Sequence, residues 1–493
     1  MTSRTIGCAA MNLKKVYAHI DANVDSHIGK VQELLRQPSI SAENRGIREC
    51  AQLLERYFRE LGCRATEIVQ TDGNPVVYGE YDAGAKKTVI VYMMYDTQPV
   101  VGEDWISPPL EANLVDIPPF GKCIVARGAI NTKGPLRAFL NGMESIKAAG
   151  EELPVNLKFV AEGEEELGSV HLPQFVERYK EKLEDADAVF FPSAAQDQKG
   201  TVRMSLGYKG IVYFELECSG KLWGKGPMEY DVHSSNKAWV DSPVWRMILA
   251  LSTMTSKDGN KILIDKWYEN VRPPSKEDLQ LVNKLAKTFD EETVKEMIKV
   301  ERFIDNLHSK KLLLKYLYST TLNVDGIWGG YTGPGTKTVL PYKVTVKMDV
   351  RLVPNQKPSE VLPRIRKHLD KMGYRDIFVR QLEAGYSWAK TSVKEPLVQA
   401  TIGVYRSFGY EPEVSPHMGG SAPLYLFNRG PLYLPFVGGG LGHGGKAHSP
   451  NEYFVIEGNE KVGGLTACEK SYVAILDAYA KTKEKHRAAG KQR

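Results

Sequence analysis

Residues 88–94 read TVIVYMM, seven positions without a charge, a glycine or a proline. Such a run is a strand, and the near absence of polar alternation makes it a strand covered on both faces. Strands of that kind belong to parallel sheets whose connections are helices packed above and below. The neighbouring sequence agrees. Apolar residues recur at helical spacing over 12–35, stopped by Pro38, and over 47–61, closed by Gly62. Short strands are expected at 76–81, 157–161 and 188–191, and helices at 135–148 and 170–183.

After about residue 206 the texture changes. Residues 212–218 (VYFELEC) alternate as a strand with one wet face, and KVTVKMDVRL within 338–352 does the same. Helices are expected at 243–254 and 359–372, and a further strand at 376–381. This is the pattern of an antiparallel α+β unit. From 388 on the first texture returns, with a helix at 397–408, a strand at 432–435 and a closing helix at 457–480. The expected plan is an α/β domain with a mixed sheet flanked by helices, made of 11–208 and 386–485. It is interrupted by an inserted α+β domain at 209–385. Residues 1–10 and 486–493 are expected to be flexible tails.

A length of 493 residues suits two or three domains. Basic and acidic side chains, 65 against 60, are interleaved along the chain. No basic face points to nucleic acid, and the one basic run, 481–493, reads as a chain end. No stretch approaches the ~20 consecutive apolar residues of a membrane span. The N-terminus lacks the apolar core of a signal peptide. Cys8, Cys50, Cys63, Cys123, Cys218 and Cys468 are dispersed with no CxxC pair. That excludes a disulfide scaffold or a cysteine zinc site, and fits a reduced, cytoplasmic protein.

Five segments fall where a sheet of this kind presents its carboxyl edge, the usual address of a ligand. They are Tyr95-Asp96-Thr97-Gln98-Pro99, the loop 126–134 (ARGAINTKG), the acidic corner 162–169 (EGEEELGS), residues 190–194, and 442–453 (GHGGKAHSPNEY). The acidic corner sets Glu162, Glu164, Glu165 and Glu166 at one strand end. Crowding like charges there costs stability unless a metal, a proton-transfer role or solvent offsets them.

With these segments the chain resembles the dimeric zinc metallopeptidases that include carnosine dipeptidase, carboxypeptidase G, acetylornithine deacetylase and succinyl-diaminopimelate desuccinylase. The dipeptidase branch is the most similar. The resemblance covers nearly all of the chain after Met11 and implies a zinc-peptidase-like catalytic domain. Segments 332–356 and 230–235 (YDVHSS) resemble the inserted dimerisation, or lid, domain, so a homodimer through that domain is implied. The family holds two zinc ions bridged by a carboxylate and a water.

Three positions depart from that pattern. The family's first loop carries His-x-Asp, whereas this chain has Met94-Tyr95-Asp96, so the Asp that would orient a ligand is present and the ligand is a thioether. The bridging Asp of the second loop is Asn131, and the fourth-strand carboxylate is replaced by Pro192 and Ser193. The other half is retained. The resemblance makes Glu165 the general base, Glu166 and His448 metal ligands, and His233 the lid residue that stabilises the oxyanion. It assigns Gly419, Gly420 and Ser421 to a substrate-binding turn with His417 where an Arg is common, and Asn323 to substrate. Glu166, His448 and Asn131 could hold one zinc, and two zincs are not expected. Asp96 has lost the residue it would orient. Asn131 is either inert or faces substrate, Lys133 is a candidate to hold the acidic cluster together, and Gly128 and Gly134 read as turn residues. His443 reads as a structural loop histidine.

The expected activity is on the amide bond of a small peptide or an N-acyl amino acid, with Glu165, His233, Asp96 and Asn131 at the reacting centre. Two alternatives stay open: a non-catalytic binding or regulatory homologue, and a metal-independent acyl-transfer, cyclisation or elimination enzyme.

Overall fold

The computed structural model describes residues 11–382 and 385–483. The expected tails at 1–10 and 486–493 lie outside the described residues. The chain divides into two compact units. One takes the chain up to Leu206, Lys390–Ser415 and everything from Leu426 on. The other takes Gly207–Ala389 and Pro416–Tyr425.

In the first unit, Thr88–Met94 is a strand with every residue buried. It lies inside a six-stranded sheet, paired in parallel with Asn156–Glu162 on one side and Ala188–Pro192 on the other. Phe436–Gly439 extends the parallel part beyond Ala188–Pro192. At the opposite side Val76–Tyr81 pairs antiparallel with Asn156–Glu162, and Ala65–Val69 follows it antiparallel. The sheet is mixed, as expected. The core on one face includes Phe159 stacked on Phe58 at 4.6 Å, with Phe139 edge-on at 6.4 Å. Burying each such ring contributes about 2–3 kcal/mol.

Several sequence expectations need correction. The helix expected at 12–35 is two, Leu13–Ala22 and Val24–Arg36, because Asn23 leaves helical geometry at φ −118°, ψ 18°. The helix expected at 170–183 is also two, Leu172–Arg178 and Lys180–Leu183. The strand expected at 432–435 begins at Phe436 instead. The closing helix starts at Leu465, not 457. The residues before it turn through Gly458, whose φ is +82° and whose absent Cβ would meet the Val462 carbonyl oxygen at 2.3 Å.

A small antiparallel sheet in the same unit has the order Gly444–Gly445, Tyr453–Val455, Lys122–Val125, Asn113–Asp116. It is too short and irregular to show in the apolar pattern, yet it decides where the loops 126–134 and 442–453 go.

The second unit is built on a four-stranded antiparallel sheet of Thr321–Trp328, Lys343–Leu352, Gly210–Ser219 and Phe378–Gln381. Pro243–Met254 and Pro358–Lys371 pack on it through Met247, Ala250, Val361 and Ile365. Three further helices, Lys276–Thr288, Glu291–Ile298 and Ser309–Tyr318, fall in a stretch that the periodicity reading left unassigned. Lys276–Thr288 starts with a capping box between Ser275 and Asp278.

Candidate active site

Parallel pairing brings the two central strands to the same level, with Met94 opposite Glu162. The chain continues from each into a loop, so Asp96 emerges beside Glu165 and Glu166. Asp96 is fully buried. Its two oxygens accept the backbone N–H groups of Glu165 at 3.1 Å and Glu166 at 3.0 Å. Asp96 therefore orients the acidic corner itself instead of an imidazole. Burial, and after it the Glu166 charge, push its carboxyl up to about 7, against the pull of Ser41 and those two N–H groups.

The second loop follows Lys122–Val125, and the histidine loop precedes Tyr453–Val455. These strands pair antiparallel, with Tyr453 opposite Val125. The pairing delivers Asn131 and His448 to one place. The Asn131 amide nitrogen lies 2.7 Å from Glu166 Oε1 and 2.8 Å from His448 Nε2. His448 Nε2 is 3.1 Å from the same Glu166 oxygen. Gln98 donates to the other Glu166 oxygen at 2.8 Å. A hydrogen bond donated to Glu166 raises the pKa of the His448 imidazole above its ordinary value.

Glu165 differs from its neighbour. Among the described residues no hydrogen bond reaches its carboxylate. Its carboxyl is pushed well above the usual range, first by burial and then by the charges of Glu166, Glu162 and Asp96. Glu162 is held by the Tyr92 hydroxyl, and burial pushes it up to about 8.

The donor set can be compared with a metal. Zinc takes imidazole, thiolate and carboxylate ligands at about 2.0–2.3 Å. Among the described residues no group of three or more His, Cys, Asp or Glu side chains is placed to hold an ion. Met94 ends its strand buried, and Ser193 spends its backbone on Gly439 and on the Tyr472 hydroxyl. Glu166, His448 and Asn131 offer one carboxylate, one imidazole and one amide, already hydrogen-bonded to each other. That set does not fit a bridged pair of ions.

Other residues of these loops make structural contacts. Lys133 donates to the Gln37 carbonyl and the Ser39 hydroxyl and ties no carboxylate of the acidic corner by a hydrogen bond. Gly128 is a turn residue with φ +85°. Gly134 lies in the helix Lys133–Ala148, where a Cβ would meet the Ala129 carbonyl oxygen at 2.0 Å, so close approach is its reason. His443 is structural: it contacts the Gln196 carbonyl at 2.9 Å and the Tyr453 hydroxyl at 3.0 Å.

The remaining candidates lie in the second unit. His233 is exposed, with Nδ1 2.7 Å from the Ser235 hydroxyl and Nε2 3.1 Å from the Thr338 hydroxyl. Asn323 donates to Asp349 at 2.8 Å. Pro416–Tyr425 belongs to this unit, although the sequence reading placed it with the first. His417 is buried edge-on to Tyr318 at 5.4 Å. The Gly419 N–H reaches the Tyr316 hydroxyl at 3.3 Å, the Gly420 carbonyl accepts from the Lys209 N–H at 2.9 Å, and Ser421 Oγ accepts from Arg351 at 2.9 Å. In the sequence Arg351 is an ordinary polar position of an alternating strand. Glu452 is marked in the sequence only by its place four residues after His448.

The peptidase family M20/M25/M40 model matches residues 90–468. The chain is 26% identical over 432 residues to the Beta-Ala-His dipeptidase of Rattus norvegicus, covering 82% of this chain and 83% of that protein. It is 27% identical over 468 residues to the Cys-Gly metallodipeptidase of Schizosaccharomyces pombe, covering 90% and 94%. Among solved structures it is similar to an M20 family metallo-carboxypeptidase from Sulfolobus solfataricus. There the identity is 34%, the coverage 92% and 99%, and the TM-score 0.81. A sheet, an acidic corner and two loops in this arrangement, with a match over most of the length, have one reading: the chain belongs to peptidase family M20/M25/M40.

Proposed function

We propose that the protein hydrolyses the amide bond of a small peptide or an N-acyl amino acid, with Glu165 as general base. One observation carries this reading. The Glu166 carboxylate is fully engaged by Asn131, Gln98 and His448, while the carboxylate of its neighbour Glu165 has no hydrogen bond among the described residues. A carboxylate kept unpaired beside a fixed one is suited to take a proton from water and return it to the leaving amine. Family membership and the dipeptidase relatives support the amide class.

The metal site is read as degenerate. Glu166, His448 and Asn131 accommodate at most one zinc, and no di-zinc centre is proposed. Forgoing a Lewis acid forfeits several kcal/mol of transition-state stabilisation. The substrate is therefore expected to be more reactive than a plain peptide, or slowly turned over. Asn131 and His233 are assigned as oxyanion donors, and Asn323, His417, Gly419, Gly420 and Ser421, with Arg351 added, as substrate contacts. A guanidinium suits the carboxylate of an amino acid. A homodimer through the second unit is part of the proposal. That unit exposes Trp239, Tyr230, Trp245 and Leu249, the first by 82%, side chains that a dimer contact would cover.

The test is turnover of a panel of dipeptides and N-acyl amino acids by the wild type and by Glu165→Gln, with zinc content measured on the same samples. Turnover lost in the variant supports the proposal. A wild type that binds these compounds without turning them over, with or without added Zn²⁺ or Mn²⁺, makes it a binding homologue instead.

A further inference from the structure

Glu452 is completely buried, and nothing in the reaction outlined above uses it. Its Oε1 accepts the backbone N–H groups of Ile130 at 3.0 Å and Asn131 at 2.9 Å. Its Oε2 accepts the N–H of Gly128 and a guanidinium N–H of Arg127, each at 3.1 Å. Its own carbonyl accepts the Ala126 N–H at 3.0 Å. Backbone N–H groups converging on one anion form a nest, and the anion defines the path of the loop that supplies them.

The same residue ends the histidine loop. That loop is strained: Lys446, His448 and Asn451 have φ of 59°, 58° and 63°. Non-glycine residues stay in the left-handed region only where surrounding contacts over-determine them. Arg127 supplies the second anchor. It donates to the Ser449 carbonyl at 3.1 Å, holds Glu103 through two contacts of 2.9 and 2.7 Å, and lies 5.1 Å from the Trp105 ring.

We infer that Glu452 is a positioning residue: it holds the Asn131 loop and the His448 loop in the register that brings those two side chains together on Glu166. Its catalytic consequence rests on the amide-hydrolase proposal; its positioning role does not. Charge and length both matter. A glutamine would turn a donor group toward N–H groups that need an acceptor, and an aspartate would fall one methylene short.

The test uses the full chain and two readouts. In hydrogen exchange followed by mass spectrometry, Glu452→Gln is expected to speed exchange about tenfold or more in 126–133 and 444–453, while 88–94 changes less than about twofold. Unchanged exchange in 126–133, or acceleration spread evenly through the unit, overturns the inference. In kinetics, Glu452→Gln is expected to lower kcat about 10- to 100-fold with KM little changed. In an Asn131→Ala background the same change is expected to cost less than about threefold. Equal losses in both backgrounds overturn it. If Glu452→Gln does not fold, Glu452→Asp is read in the same two ways, with effects of about threefold to tenfold. A wild type without turnover defeats the amide-hydrolase proposal alone, because the exchange pattern still decides the role of Glu452.

Discussion

The side-chain amide nitrogen of Asn131 lies 2.8 Å from Nε2 of His448. A neutral imidazole accepts from that amide. A protonated one donates instead to Glu166 Oε1, 3.1 Å away. Each state of the imidazole thus has a partner within the cluster.

Replacing the amide by a carboxylate removes that property. Asn131→Asp sets a second carboxylate about where the amide nitrogen now lies, 2.7 Å from Glu166 Oε1. In EDTA the variant is expected to be less stable than wild type by about 1–3 kcal/mol. With Zn²⁺ added its melting temperature is expected to rise further than that of wild type, and elemental analysis is expected to find more zinc per chain. An identical zinc response in the two proteins, or two zincs per wild-type chain, would refute the degenerate site.

Glu165→Gln separates stability from activity. The Glu165 carboxyl is held far above its usual range by burial and three neighbouring charges, so its ionised form is costly in the fold. The amide carries no such cost. The variant is expected to lose about 10²- to 10⁴-fold in kcat and to melt no lower than wild type. Normal turnover by purified Glu165→Gln contradicts the assignment.

Lys209 gives a pH signature in the second unit. It is 4% exposed, with its ammonium bonded to the Tyr316 and Ser319 carbonyls. Burial first, and the Arg351 charge second, lower its pKa from 10.5 to about 8. Between those two values the folded form has shed a proton that the unfolded chain keeps. The unfolded state binds more protons there, so stability rises with pH across that window. Lys209→Met lacks the group. Urea midpoints at pH 7 and pH 9.5 are expected to show wild type gaining on the variant, by about 2 kcal/mol at most. A gap that stays constant with pH would count against the buried ammonium.

His27 and Glu469 form a buried pair at 2.8 Å, with Asn141 donating to the other Glu469 oxygen at 2.8 Å. Removing one partner strands the other. His27→Ala is expected to cost about 3–5 kcal/mol in denaturant unfolding, and His27→Ala with Glu469→Leu to recover part of it. A single variant within about 0.5 kcal/mol of wild type would show that water replaces the imidazole.

The sheet was legible because its strands are apolar runs with clear ends. Val76–Tyr81 and Thr88–Met94 begin and stop where the composition says. Asn23 was not legible as a break, since its apolar neighbours keep helical spacing across it. The acidic corner was visible as a crowd of charges. What Asp96 does there was not, because its partners are backbone N–H groups that leave no mark in the sequence. Glu452 was hidden for the same reason. Arg351 and Ser421 lie seventy positions apart, and only folding joins them.

The second unit is threaded in two pieces, Gly207–Ala389 and Pro416–Tyr425, separated by Lys390–Ser415 of the first. A recombination event that moved only the longer piece between relatives would leave Ser421 behind and part it from Arg351. Chimeras that exchange both pieces together preserve that bond, so any swap of this unit must be made as a matched pair of cuts.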